Sequence, residues 1–291
     1  MTGQIWAVAV LNIQSIVSRS GASAVIVVGT GGVVGVLTLV LSMAGGLDAV
    51  FKNSMEPDRA IVLRDGSTDE MSSVIPGNHL SLIRSIPEVA IAAGELYGVA
   101  DIEKRSSGTP ANLVVRGTEA QSFQVRPELS ITQGRNFQPR RNEAIVGVGA
   151  HREFLGLDVG SQIEVRGTKW LVVGLFEDDG SATESEIWVD LPMAASAFRR
   201  GNTLTTVRLR LNRPEGLNAV NENMKANPQL QTKAVSEERF YSEQSEGATK
   251  VIRVFGNVVV VIMAIGAIFA ALNTMYSAVA ARTFEIATLR A

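Results

Sequence analysis

Two histidines, one acidic stretch and one basic cluster are the parts of this chain whose residue types suggest chemistry. His79 and His151 are its only histidines, and neither belongs to a His-Glu-x-x-His zinc motif. In "FEDDGSATESE" (176–186), Glu177, Asp178 and Asp179 are consecutive, whereas a calcium loop alternates its ligands. That stretch reads as a solvated loop, as does "RNFQPRRNE" (135–143) with Arg135, Arg140 and Arg141. No Gly-x-Ser-x-Gly elbow or Gly-x-x-x-x-Gly-Lys-Ser/Thr phosphate loop occurs. With no cysteine, disulfides, thiolate metal sites and cysteine nucleophiles are excluded. The expectation is a non-enzyme that holds no metal or cofactor and does not itself hydrolyse ATP. A net charge of -2 gives no sign of a nucleic-acid partner.

Ala24 to Gly35 reads "AVIVVGTGGVVG", the way a dinucleotide-binding strand and turn begin. Gly29 and Gly31 fit that fingerprint, but its third glycine position holds Val34, and the following "VLTLVLSMAGG" has no polar face. Gly31 and Gly35 instead form a small-xxx-small pair that lets another helix approach closely. The charge pattern decides between the two. Residues 20–47 and 254–281 carry no charged side chain. Each run would form a helix of roughly 42 Å, against the ~30 Å of a hydrocarbon core. Both read as membrane spans. The first is too long for a signal-peptide core, and about 20 residues precede it. In those residues Ile5, Trp6, Ala9, Ile13, Ile16 and Val17 oppose Asn12, Ser15, Ser18 and Arg19, the pattern of an interfacial amphipathic helix.

Nearly all the charge lies in the insert 48–253; only Arg19, Arg282, Glu285 and Arg290 fall outside it. Arg19, Arg282 and Arg290 favour cytoplasmic chain ends, against Lys52, Lys250 and Arg253 at the opposite mouths. The amphipathic start and the lack of a cytosolic enzyme motif point to an extracytoplasmic insert. It reads as mixed α and β. "RAIVLRDG" (59–66) is a strand and turn, "NHLSLIRSIPEV" (78–89) a helix stopped before Pro87, and 98–119 two strands around a polar turn. A strand and helix follow in "RRNEAIVGVGAHREFLGL", then a hairpin over 161–178 centred on Gly167-Thr168. "ESEIWVDLPMAASAFRR" gives another strand and helix. In "TTVRLRLNRP", Val207, Leu209 and Leu211 alternate with Arg208 and Arg210, a strand with one wet face. "PEGLNAVNENMKANP" is an amphipathic helix between Pro214 and Pro228. No proline follows Ser236, so one helix can run from the insert into the second span.

After Tyr276 the chain reads "SAVAARTFEIATLRA". This run resembles the R-x-x-E-I-x-x-L-R-A signature after the second span of MacB/LolC/FtsX-type ABC transporter permeases. "AIVGVGAHREFLGLDVGSQIEVRGTKWLVVGLFEDDGSATESEIWVDL" (144–191) is similar to the MacB-type periplasmic core, and "RGTEAQSF" and "GRNF" to the same family's middle section. The resemblance implies a permease subunit of an export or mechanotransmission complex, in which a separate cytoplasmic ATPase drives movement of the periplasmic domain. Its partners would be that ABC ATPase subunit, a second permease copy or homologue, a periplasmic adaptor and membrane lipid. Arg282, Glu285, Ile286, Leu289 and Arg290 would belong to the ATPase-coupling surface. The family's third and fourth spans are not in this sequence, so it is expected to be a piece of a longer permease.

The resulting expectation is an α+β membrane protein of the bacterial inner membrane, with two transmembrane helices flanking a mixed α/β extracytoplasmic domain. The divisions are an interfacial helix (1–21), a first span (22–47), the MacB-like core (48–253), a second span (254–281) and the start of a cytoplasmic coupling segment (282–291). The alternative is a two-span receptor with a periplasmic ligand-sensing domain, which would need an output domain after Arg282.

Overall fold

A computed structural model describes residues 28–29, 31–32, 34–43, 45–46 and 56–281. The chain divides into two compact units, Asp48–Ser245 and a second made of Met1–Leu47 with Glu246–Ala291. The expected interfacial helix (1–21) and the coupling residues Arg282, Glu285, Ile286, Leu289 and Arg290 lie outside the described residues.

Among the described residues, the Asp48–Ser245 unit contains twelve strands: β1 (Arg59–Arg64), β2 (Ile75–Pro76), β3 (Val89–Glu103), β4 (Pro110–Thr118), β5 (Ser130–Gly134), β6 (Glu143–Gly147), β7 (Gln162–Val165), β8 (Thr168–Glu177), β9 (Glu186–Asp190), β10 (Thr203–Leu204), β11 (Thr206–Leu211) and β12 (Thr232–Ser236). Its helices are α1 (His79–Arg84), α2 (Ala120–Val125), α3 (Val148–Glu153), α4 (Leu191–Ala197) and α5 (Leu217–Ala226); the start of α6 (Glu237–Ala281) follows β12 directly. The main sheet runs β12-β1-β11-β3-β4-β9-β6-β8-β5, with β7 paired to β8, and β2 pairs β10 separately. The pairs β4–β9 and β6–β8 are parallel, so the sheet is mixed.

One strand organises this sheet. β3 pairs with β11 over Val89–Glu95 and with β4 over Leu96–Glu103, so each half joins a different set of strands. Each set has its own core. Val207, Leu209, Ile83, Val220 and Met224 form one under α1 and α5; Leu113, Val115, Val146, Trp170, Val172 and Ile187 form the other under α3 and α4. Gly98 on β3 is where α4's end closes on the sheet, because a Cβ there would strike the Phe198 ring.

The expected strands and helices of the insert are all present, and two details differ. The 161–178 hairpin turns one residue earlier, at Arg166-Gly167, with Val165 paired to Thr168. Both turn residues have positive φ, 51° and 76°. A two-residue turn of this kind needs that conformation twice, and β-branched Thr168 resists it, so Thr168 opens β8 instead. The stretch 176–186 is also not a solvated loop throughout. Asp178 is buried and its carboxylate accepts hydrogen bonds from the Ser181 and Thr183 hydroxyls, while Glu184 accepts from the Asp178 and Gly180 amides at 2.9 and 2.8 Å. The segment folds on itself through its own acidic side chains.

In the second unit, Val34–Met43 is a short apolar helix, and the Val254–Asn273 part of α6 is the one stretch among the described residues long and apolar enough to cross a membrane. The rest of the expected first span, 22–47, lies largely outside the described residues. Here the close approach is at Gly256, where a Cβ would stand 2.6 Å from Val40 Cγ1. Cβ atoms at Gly31 or Gly35 would meet nothing within 4 Å.

Candidate functional site

Four charged side chains on strands of the main sheet face one another: Glu95 in β3, Arg116 in β4, Glu186 at the start of β9 and Arg208 in β11. Strand register brings them to the centre of the sheet. β11 pairs with the first half of β3, β4 with its second half, and β9 lies beside β4 with Val114 opposite Glu186. All four are buried. Glu70, Arg126, Arg59 and Glu237 join them from a loop, the end of α2, the start of β1 and the first turn of α6.

Arg116 is the hub. Its guanidinium donates to Glu186 at 2.7 and 2.7 Å, to Glu70 at 2.9 and 3.0 Å, and to Glu95 at 2.9 Å. These five bonds match the five N–H donors an arginine has, and the two bidentate forks fix its plane. Trp188 Nε1 donates to Glu186 at 2.9 Å, and the Arg126 guanidinium lies 5.6 Å from the Trp188 ring centre. Arg208 carries the network to α6. It donates to Glu70 at 2.9 Å, to Glu95 at 3.4 Å, and to Glu237 and the Tyr241 hydroxyl at 3.1 and 3.4 Å. Arg126 meets Glu95 at 3.4 Å and Glu237 at 3.5 Å, and Arg59 reaches Glu128 at 2.5 Å. Phe240 and Tyr241 pack beside this cluster on Ile61 and Leu63 of β1.

The electrostatics are uneven. Burial pulls the Glu70 carboxyl up, but Arg116 and Arg208 outweigh it and hold its pKa down at about 2. Glu95 is likewise lowered against burial, by Arg116, Arg126 and Arg208. Glu237 goes the other way: burial raises it, and Arg126, Arg208 and Arg59 do not fully offset that. The carboxylate on α6 is therefore the weakest-held charge of the cluster. Taking ions out of water costs several kcal/mol each, so such a network is not an economical source of stability. What it supplies is geometry. Arg208 holds α6's first turns through Glu237 and Tyr241.

The alternating pattern of β11 predicts a wet face carrying Arg208 and Arg210. Arg210 does lie at a partly exposed position, paired with Asp58 at 2.8 Å. Arg208, however, is fully buried, because the first turns of α6 cover that face. The available signal was the charges of both signs with apolar or glycine neighbours at 95, 116 and 208; Glu186, in "ESEIWV", carried none. The other sequence candidates are not drawn together. His151 pairs with Asp158 at 2.8 Å, far along the chain from His79 in α1, and among the described residues no group of three His, Asp or Glu is arranged to hold a metal. Arg135 grips Glu143 at 2.6 Å, so the 135–143 cluster is partly neutralised rather than simply solvated.

The fold and the cluster define a class: a mixed-sheet domain whose last helix continues into a segment of membrane-spanning composition. A family profile described as the MacB-like periplasmic core domain matches residues 23–227, and the chain belongs to that family. This makes it a membrane protein of the ABC transporter permease kind, with an extracytoplasmic α+β domain. No curated protein matches the chain. Similar solved structures include the extracellular domain of the noncanonic ABC-type transporter YknZ from Gram-positive bacteria, 12% identical, covering 61% of this chain and 100% of that one at a TM-score of 0.48. Another is the periplasmic region of MacB from Actinobacillus actinomycetemcomitans, 10% identical, covering 64% and 92%, also at 0.48.

Proposed function

We propose that this chain is the mechanical half of an ABC-type export or mechanotransmission complex, in which a separate cytoplasmic ATPase drives movement of the extracytoplasmic domain in the bacterial inner membrane. It catalyses no reaction itself. A second permease copy or homologue completes the pair through the small-residue face of Gly31 and Gly35, a periplasmic adaptor binds the domain, and Arg282, Glu285, Ile286, Leu289 and Arg290 meet the ATPase.

The observation that carries this reading is α6, a single 45-residue helix without proline. Its first turn is held by Arg208 through Glu237 and Tyr241, and its Val254–Asn273 segment has the length and hydropathy of a span. A helix transmits displacement along its axis only while its hydrogen-bond ladder is intact.

The test is Lys250→Pro in the complete permease with its ATPase. Lys250 is an exposed α6 residue beyond the charge cluster. Proline there removes one backbone bond and costs about 3 kcal/mol locally, enough to kink the rod. ATP-driven export should fall sharply while expression, domain folding and ATPase binding persist, and Lys250→Ala should behave as wild type. Normal export by the proline variant would refute the transmission role.

A further inference from the structure

On the half of the domain that holds the β7–β8 hairpin, Arg166, Ala197, Phe198, Arg199 and Arg200 line an open cavity of about 530 Å³. Two elements build it. The β7–β8 turn presents Arg166, whose guanidinium lies 5.9 Å from the Phe198 ring centre and donates to the Val99 carbonyl at 3.5 Å. The end of α4 presents Phe198, Arg199 and Arg200, with the Phe198 ring seated against Gly98. All three arginines are exposed, and among the described residues none has an ion-pair partner. Arg116, Arg126, Arg135, Arg208 and Arg210, by contrast, are each matched to a carboxylate, and although other surface arginines among the described residues are also unpaired, Arg166, Arg199 and Arg200 share one cavity.

The backbone adds a second, independent observation. Only four described non-glycine residues have positive φ, and two of them, Arg166 at 51° and Arg199 at 54°, line this one cavity. Local geometry favours other residues at both. The first position of a two-residue hairpin turn prefers asparagine, and the residue that follows a helix end in left-handed conformation prefers glycine. Both turns place an arginine on the cavity lining.

We infer that this cavity binds a phosphate-bearing anion, with Arg166, Arg199 and Arg200 as its ligands and Phe198 as the apolar wall for the attached organic group. Three planar guanidinium forks suit a multiply charged tetrahedral oxyanion better than a single carboxylate. Free phosphate compounds and anionic lipid headgroups share this chemistry. The inference is independent of the permease reading, since it concerns binding to the domain and not ATP coupling.

The experiment is calorimetric titration of the full chain in neutral detergent at low salt, with three probes: inorganic pyrophosphate, short-chain phosphatidylglycerol and short-chain phosphatidylcholine. Saturable binding of pyrophosphate or of phosphatidylglycerol is expected, with phosphatidylcholine at least about tenfold weaker. Binding of pyrophosphate alone identifies a free phosphate compound as the source, and of phosphatidylglycerol alone a lipid headgroup. Arg166→Asn and Arg199→Gly each place the locally preferred residue, so melting temperature should hold or rise while affinity drops about tenfold for each guanidinium removed. No saturable binding of either anion, or wild-type affinity in both variants, would overturn the inference.

Discussion

Replacing Arg116 with methionine tests how the charge cluster works. Methionine keeps much of the side-chain volume but removes all five donors that Arg116 gives to the buried Glu70, Glu95 and Glu186. Removing one partner of a buried ion pair costs about 3–5 kcal/mol. Glu186 keeps only the Trp188 donor, while Arg208 still reaches Glu70 and Glu95 and Arg126 still reaches Glu95, so that range applies at pH 7. For a unit of roughly 200 residues, 1 kcal/mol moves the midpoint about 2–4 °C, so a drop of about 6–20 °C is expected. The pH response carries the sharper signature. In the wild type, Glu70 has a folded pKa of about 2 against 4.5 when free, so its contribution is full above pH 4.5 and is lost as pH falls toward 2. That contribution is worth about 3 kcal/mol. Without Arg116, Glu70 and Glu95 lose a charge that opposes burial, so their pKa values rise and the gap between variant and wild type narrows as pH falls from 7 to 5. Glu237, already raised by burial, gives a rise of the same sign in both proteins, so the measured quantity is the gap between them. Thermal unfolding of both full chains in detergent, followed by circular dichroism at pH 7 and pH 5 at one scan rate, provides it. A loss under about 3 °C at pH 7, or a gap that fails to narrow at pH 5, would refute the reasoning.

Other consequences follow from named contacts. Tyr241→Phe removes one acceptor from Arg208 while keeping the ring on Ile61 and Leu63, so it should cost about 1 kcal/mol in denaturant unfolding. Asp178→Ala strips the acceptor of two hydroxyls in the 178–184 turn and should destabilise the domain by about 1–3 kcal/mol, with no change on adding calcium or a chelator. Single cysteines at Ser107 and Thr288, in this cysteine-free chain, should label from opposite sides of an intact cell membrane; labelling of both from outside would contradict the topology. In the complete permease, Glu285→Lys should leave insertion intact and reduce co-purification of the ATPase, and unchanged recovery would remove Glu285 from the coupling surface.

Local features of this fold were legible because local physics decides them. The alternation in β11, the prolines bounding α5 and the uninterrupted run after Ser236 each act within a few residues, and each element stands where the pattern puts it. The 161–178 hairpin was legible to within one residue, and its turn was misplaced because the demand for positive φ at two successive positions competes with simple dipeptide preference. The charge cluster was not legible as a site. Arg208 meets Glu70 from 138 positions away and Glu237 from 29, and alternation along one strand says nothing of what covers its polar face. The same holds for Arg135, whose charge is taken up by Glu143. Sheet order shares this nonlocal character: the division of β3 between β11 and β4 depends on two cores assembled from distant segments. The family, by contrast, was legible from motif order, and the 144–191 stretch that carried it lies within the matched range 23–227.

The central claim is that α6 carries motion between the ATPase and the extracytoplasmic domain. The most direct measurement is the distance between spin labels at Ser107Cys in the two copies of the complete permease, with its ATPase, by pulsed electron resonance with and without a non-hydrolysable ATP analogue. Ser107 lies at an exposed turn of the domain, so the label should leave the fold intact. The account predicts that the analogue shifts the distance distribution in the wild type and in Lys250→Ala, and that Lys250→Pro abolishes the shift while nucleotide still binds. A shift that persists in Lys250→Pro would contradict it.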